Sequence, residues 1–173
     1  MAAMSGLESK EHAMAKEVFN GRYTVPADGA DVTVFLIGMR INKPWQIRRW
    51  AKVAGAMPRM LRHLGGHPEA GMLGFHNWFG RTTVLLSYWK SPEHLRAFAA
   101  DPNAPHAAPW RAFMKEVGAS GDVGVWHETY VVRAGDRECI YANMPLFGLA
   151  AATSHVKVGE GRNTARQRLR SEG

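Results

Sequence analysis

The sequence predicts an α+β fold with the ferredoxin-like order βαββαβ. Three observations carry this. Four runs rich in Val, Leu, Ile and aromatic residues, near positions 31–39, 71–78, 82–89 and 123–132, read as strands. Stretches of helical periodicity separate the first run from the second and the third from the fourth. Only Phe79, Gly80 and Arg81 separate the second run from the third, and so short a connection makes a hairpin.

The first strand, 31–39, carries Val32, Val34, Phe35, Leu36 and Ile37, apolar on both parities, so both of its faces should be covered. Gly38 inside it predicts a bulge or the close approach of a neighbour. Pro44 is a suitable first helical position. From there Trp45, Trp50, Val53, Ala54, Met57, Leu61 and Leu64 recur at helical spacing, with Arg48, Arg49, Lys52, Arg59 and Arg62 largely off that stripe. Pro58 should kink or split this helix, and Gly65 with Gly66 should end it. Ser91, Pro92 and Glu93 mark a second helix start: an N-cap, a first-turn proline and a first-turn acid. Residues 101–105 break that helix. A further short helix follows, with Trp110, Phe113, Met114 and Val117. The fourth strand is 123–132. Its alternation puts Val123, Val125, His127, Thr129 and Val131 on one face and Trp126, Glu128 and Tyr130 on the other.

Outside this unit the signal is weaker. Residues 1–28 read as a polar lead-in with a short helix from Glu11 to Phe19, 29–149 as the folded domain, and 150–173 as a basic tail, mobile or laid on a partner subunit. A short edge segment is expected near 136–141. Residues 141–148 form a turn-rich stretch with apolar anchors suited to capping a pocket. A four-stranded sheet with two apolar faces needs two covers. Helices supply one, and a second copy of the sheet is the simplest other, which predicts a two-fold homodimer.

Apolar residues make up 46 % of the 173, a globular and not a disordered composition. The single Cys139 excludes an internal disulfide framework and suits a reducing cytoplasm. No apolar run is long enough to span a bilayer, and residues 1–23 have no apolar core of a secretion signal, so no membrane partner is expected. The formal net charge of +7 is read as a solvated helix face plus the basic tail, because no nucleic-acid motif accompanies it. H-E-x-x-H, G-x-S-x-G, the P-loop and G-x-G-x-x-G are all absent, which argues against a zincin, an acyl hydrolase and a nucleotide cofactor. His63 and His67 are four apart, but Gly65 and Gly66 between them should break the helix.

Two histidines in unlike settings remain. His106 opens a helix between Pro105 and Pro109, a stiff backbone suited to a metal or haem axial ligand, or else a plain surface turn. His127 stands among valines on one strand face, where it could give or take a proton, or else be a core histidine satisfied locally. The functional reading rests on both imidazoles facing one pocket, with Trp89, Trp126 or Phe75 as further lining.

Several blocks carry a family likeness: Phe35-Leu36-Ile37-Gly38-Met39-Arg40-Ile41-Asn42-Lys43, Tyr88-Trp89-x-Ser91-x-Glu93-His94-Leu95, His106-x-x-x-Trp110-Arg111-x-Phe113, Gly124-x-Trp126-His127-Glu128-Thr129-Tyr130 and Tyr141-x-Asn143-Met144-Pro145. Over about residues 20–150 the chain resembles the fumagillin-pathway monooxygenase family. That likeness implies a dimeric α+β barrel and an oxygenase of secondary metabolism. Residues 88–132 more distantly resemble the C-terminal half of the haem-containing aldoxime dehydratases. The second resemblance implies haem b ligated by His106 and an acid/base role for His127. It does not extend to the further distal-pocket residues of those longer enzymes. The expected function is a haem-binding monooxygenase acting on a small organic substrate. The alternatives are a haem-dependent lyase of N–O substrates, a cofactor-free monooxygenase and a non-catalytic carrier.

Overall fold

A computed structural model describes residues 17–105, 107–116 and 120–169. Its elements, in chain order, are β1 (Phe19–Thr24), β2 (Val32–Ile41), α1 (Ile47–Ala54), α2 (Ala56–Gly66), β3 (Met72–Trp78), β4 (Val84–Trp89), α3 (Pro92–Ala100), α4 (Ala107–Glu116), β5 (Val123–Val132), β6 (Tyr141–Met144), α5 (Gly148–Ala152), β7 (Val156–Lys157) and α6 (Ala165–Arg168). The contacts divide them into two compact units, Thr33–Val131 and the combination of Met1–Val32 with Val132–Gly173.

The Thr33–Val131 unit holds a four-stranded sheet in the order β3-β4-β2-β5. This is the ferredoxin-like α+β order: the hairpin strands β3 and β4 lie side by side, and β2 sits between β4 and β5. β2 pairs antiparallel with β4, Phe35 opposite Ser87 and Ile37 opposite Leu85. β3 pairs antiparallel with β4, Phe75 opposite Ser87, with an irregularity between Met72 and Gly74. Gly38 marks a close approach, as its place in the strand predicts. A Cβ built there would lie 1.9 Å from the carbonyl oxygen of Thr83, the residue before β4. Met60, Leu64, Leu85, Trp89 and Leu95 are buried together between helices and sheet, with Phe35, Phe75 and Phe98 packed against them.

The long helix divides at Gly55, three residues before the proline expected to break it. The proline is still the cause. Its ring would clash with the carbonyl four residues earlier, at Ala54, so α1 has to stop there. Pro58 then falls in the first turn of α2, where a missing N–H is tolerated. Pro44, expected to open the helix, lies instead in a turn. Gln46 N–H donates to the Lys43 carbonyl at 3.0 Å and the Trp50 indole N–H to the Pro44 carbonyl at 3.0 Å, so the helix begins only at Ile47. The α3 start is as expected: Ser91 caps it by accepting from the His94 N–H, and Pro92 opens it.

A charged clamp joins the end of β2 to the start of β5. The Asp122 side chain is 2 % exposed, and the Lys43 ammonium lies 2.6 Å from its Oδ1. The Arg49 guanidinium engages Oδ2. The Asp122 carbonyl accepts the N–H groups of Asn42 and Lys43, each at 3.1 Å. The hydrogen bond from Lys43, with Arg49 adding to it against the opposing effect of burial, holds the Asp122 carboxyl below its ordinary range. The folded state therefore binds that proton more weakly than the unfolded chain. The clamp's contribution is present above the unfolded carboxylate pKa, about 3.9, and is lost as pH falls through it toward the lower folded value. Asp122→Asn is expected to lower Tm by roughly 5 °C at neutral pH, with the gap to wild type closing below about pH 4. Thermal melts across pH check this, and a gap that stays constant into acid would remove the clamp from the stability account.

The other unit is built on a three-stranded sheet in the order β6-β1-β7. The sequence reading leaves Phe19–Thr24 inside a polar lead-in, yet it is the central strand, pairing with β6 through Tyr23 opposite Tyr141 and with β7 through Thr24 opposite Val156. The short edge segment falls at Tyr141–Met144, later than expected. The tail, read as lacking a core pattern, supplies β7 and the capped turn of helix α6. Arg168 donates to Glu138 at 2.6 Å. The helix read from Glu11 lies largely outside the described residues; its last position, Phe19, begins β1. Cys139 is a free thiol whose pKa is pushed up by burial.

Candidate functional site

Between the helices and the sheet of the Thr33–Val131 unit lies a chamber of about 1060 Å³. Each element contributes one side of its pattern. From β2 come Phe35, Ile37, Met39 and Ile41, alternate residues of one face. From α1 and α2 come Trp50, Val53, Ala54 and Met57, members of the helical stripe read from the sequence, with Met60 beside them. β4 gives Leu85, Ser87 and Trp89, α3 gives Leu95 and Phe98, and α4 gives Trp110 and Phe113. β5 gives Val125, His127, Thr129 and Val131, the face that its alternation predicts.

Polar groups in the chamber floor satisfy one another. The Trp89 indole N–H donates to Ser87 Oγ at 3.0 Å, and Ser87 Oγ donates to the Phe35 carbonyl at 3.2 Å. Thr83 Oγ1 accepts the Met39 N–H at 3.0 Å. Arg96 donates to Glu93 at 2.7 Å. His127 stands 5.9 Å from Phe35, ring centroid to ring centroid, with the planes at 45°. It is the one histidine among the described lining residues.

Two site expectations need correction. The buried imidazole is instead exposed: every residue from His127 to Val131 is exposed, because β5 is an edge strand with sheet on one side only. Of the three expected lining aromatics, Trp89 lines the chamber. Trp126 is on the opposite face of β5 from His127, as a period of two requires, with its indole Nε1 2.7 Å from where a Gly38 Cβ would stand. Phe75 packs in the core around Trp89 instead of lining the chamber. His106 lies outside the described residues. Its chain neighbour Ala107 opens α4, whose Trp110 and Phe113 reach the chamber. Among the described residues no group of three or more His, Cys, Asp and Glu could hold a metal ion.

Several lining residues were not read from the sequence as chamber wall. Met39, Met57, Met60 and Met72 bring four adaptable thioethers to the wall, and Trp78, Phe79 and Gly80 extend it to the β3–β4 turn. Helical spacing marks Met57 as inward-facing, but nothing local tells a residue that lines a cavity from one that fills a core.

Fold and site together define a class: a ferredoxin-like α+β unit with a largely apolar chamber between its helices and its sheet. Residues 32–149 match the family model described as monooxygenase af470-like, and the chain belongs to that family. It is similar to monooxygenase af470 of Aspergillus fumigatus, with 26 % identity over 147 residues, 73 % of this chain and 52 % of that protein. The chain thus spans about half the length of this curated relative. Among solved structures it is similar to an aldoxime dehydratase crystallised in complex with butyraldoxime, at a TM-score of 0.59 and 15 % identity, covering 72 % of this chain and 37 % of the other. That likeness shows a shared fold.

Proposed function

We propose that this chain forms the substrate chamber of a monooxygenase that acts on a small, uncharged, largely apolar organic molecule, with His127 as the group that takes and returns a proton. The observation that carries the reading is the wall: aliphatic, thioether and aromatic side chains, polar floor groups that satisfy one another, and one imidazole left facing the space. Such a wall penalises a charged ligand, because the charged lining side chain, Arg96, is already paired with Glu93 and the rest of the wall is largely apolar. It leaves an apolar ligand free to lie against Phe35 and Trp89 with its reacting atom beside His127. Family membership supports the oxidative class of reaction.

The cofactor in this reading is haem, implied by the resemblance to the haem-containing dehydratases. Two features fit it. The chamber, about 1060 Å³, stands at the top of the roughly 300–1,000 Å³ range of small-molecule sites, so it has room for a flat macrocycle and a substrate. Its wall is apolar, as the faces of a porphyrin require. His106, one residue before α4, would be the axial ligand. Bound haem would supply dioxygen and one-electron chemistry. The chain's own part is to orient the substrate against the apolar wall and move a proton through His127. A two-fold homodimer formed through the other sheet face is part of the same reading. That face carries Val34, Leu36 and Leu86, and Tyr130, which is 51 % exposed. Light scattering at twice the chain mass supports the dimer, and a monomer at working concentration sinks it.

Haemin titration of the purified chain tests the cofactor. A Soret band is expected, with affinity falling roughly 100-fold or more in His106→Ala while circular dichroism stays unchanged. If the unmodified chain takes up no haem, the haem reading is wrong. His127-dependent oxygen uptake with an electron-rich apolar substrate would then identify a cofactor-free oxygenase.

A further inference from the structure

One end of the four-stranded unit presents large apolar side chains to water. Phe79 is 86 % exposed, Trp45 73 %, Ile47 60 % and Trp78 44 %. Trp78 ends β3, Phe79 stands in the turn to β4, and Trp45 and Ile47 lie where the chain leaves β2 and enters α1. Hydrogen bonds bring these segments to the same end. Ile41 N–H donates to the Arg81 carbonyl at 2.8 Å, Arg81 Nε to the Ile41 carbonyl at 3.3 Å, and the Arg40 guanidinium to Thr82 Oγ1 at 2.9 Å. Isolated apolar residues on a surface need no explanation, but a cluster of rings at one end does.

The charge around the cluster is predominantly basic. Residues 32–92 contain nine Lys and Arg against a single acid, Glu69. Arg40, Arg48, Arg49, Lys52 and Arg81 are exposed. Asp122 pairs with Lys43 and Arg49. α1 is amphipathic in the same sense: Trp50 and Val53 line the chamber while Arg48 and Lys52 stand in solvent. Trp and Phe at loop tips, ringed by Arg and Lys, are the residue types of the boundary between headgroup and acyl chain. Among the described residues no helix is long and apolar enough to cross a membrane, so such a surface would lie on a bilayer and not span it.

We propose that this end docks on an anionic lipid bilayer, with Trp45, Ile47 and Phe79 inserted at the interface and Arg48, Lys52 and Arg81 against lipid phosphates. The assignment is to lipid and not to nucleic acid because the projecting groups at the tips include Ile47, 60 % exposed, which inserts among acyl chains and offers no ring for a base to stack on. The chamber wall runs out to Trp78, Phe79 and Gly80, so an apolar ligand dissolved in the membrane reaches the chamber from the docked face. The proposal stands apart from the catalytic reading, since it requires neither haem nor His127.

Cosedimentation of the full chain with vesicles tests it, using phosphatidylcholine alone or mixed with phosphatidylserine. Binding is expected to the mixed vesicles only and to weaken as salt is raised. The double substitution Trp45→Ala with Phe79→Ala should weaken it roughly tenfold or more, and so should Arg48→Glu with Lys52→Glu. These positions are exposed, so melting temperatures should stay near wild type and separate docking from misfolding. No binding to mixed vesicles at low salt overturns the proposal. So does binding that both double variants retain in full, which would assign it to the basic tail. Binding to duplex DNA but not to vesicles would assign the patch to nucleic acid and overturn it as well.

Discussion

His127→Ala is expected to lower turnover by roughly 10²–10⁴-fold while ligand binding stays within a few-fold of wild type. The asymmetry follows from the wall. Binding draws on Phe35, Trp50, Met57, Trp89, Phe98 and their neighbours, and one imidazole is a small part of that surface. Proton transfer has no such redundancy, because His127 is the one histidine among the described lining residues, and the Thr83, Ser87 and Trp89 polar groups are engaged with each other or with backbone. Oxygen uptake and product formation against a panel of apolar substrates measure the first quantity. Equilibrium quenching of chamber tryptophans measures the second. If the variant keeps both binding and turnover, His127 has no catalytic part. If no apolar substrate turns over on the wild type while binding persists, the chamber belongs to a carrier.

Gly38→Ala is expected to cost roughly 3 kcal/mol, which is a fall in Tm of roughly 10 °C for a chain of this size. A methyl group there would lie 1.9 Å from the Thr83 carbonyl oxygen, 2.9 Å from its carbon and 2.7 Å from Trp126 Nε1. A flexible side chain could swing away; the Thr83 backbone cannot, because its N–H donates to the Met39 carbonyl at 2.8 Å. Relief means parting β2 from β4 at the point where Met39 and Thr83 line the chamber, so ligand affinity should fall together with stability. Denaturant titration and ligand binding on the same variant check both. A variant as stable as wild type would show that the two strands are not held this close.

The sequence determined more of the fold than of the site. The hairpin is forced by three residues between two apolar runs, and the capped start at Ser91 and Pro92 is a local signal that the structure reproduces. The face of β5 that carries His127 follows from a period of two and needs no tertiary information. The helix break at Gly55 illustrates a partial reading: Pro58 announced it, but its position follows from a clash four residues upstream. Phe19–Thr24 had no comparable local signal. It is central because β6 and β7, more than a hundred residues later, pair with it, and short segments of that kind carry too few apolar residues to mark themselves.

What the sequence determined, then, is everything set by neighbours along the chain: the order of strands and helices, their caps, and the side of each element that is apolar. Tertiary structure alone decided that those apolar sides stop short of one another and leave a chamber, that His127 meets it from an exposed edge strand, and that rings more than thirty residues apart gather at one end among arginines and lysines. The physical reason is that periodicity records which way a side chain points, while a cavity or a surface patch depends on the distances between elements, and those are fixed only when the whole sheet closes on its helices.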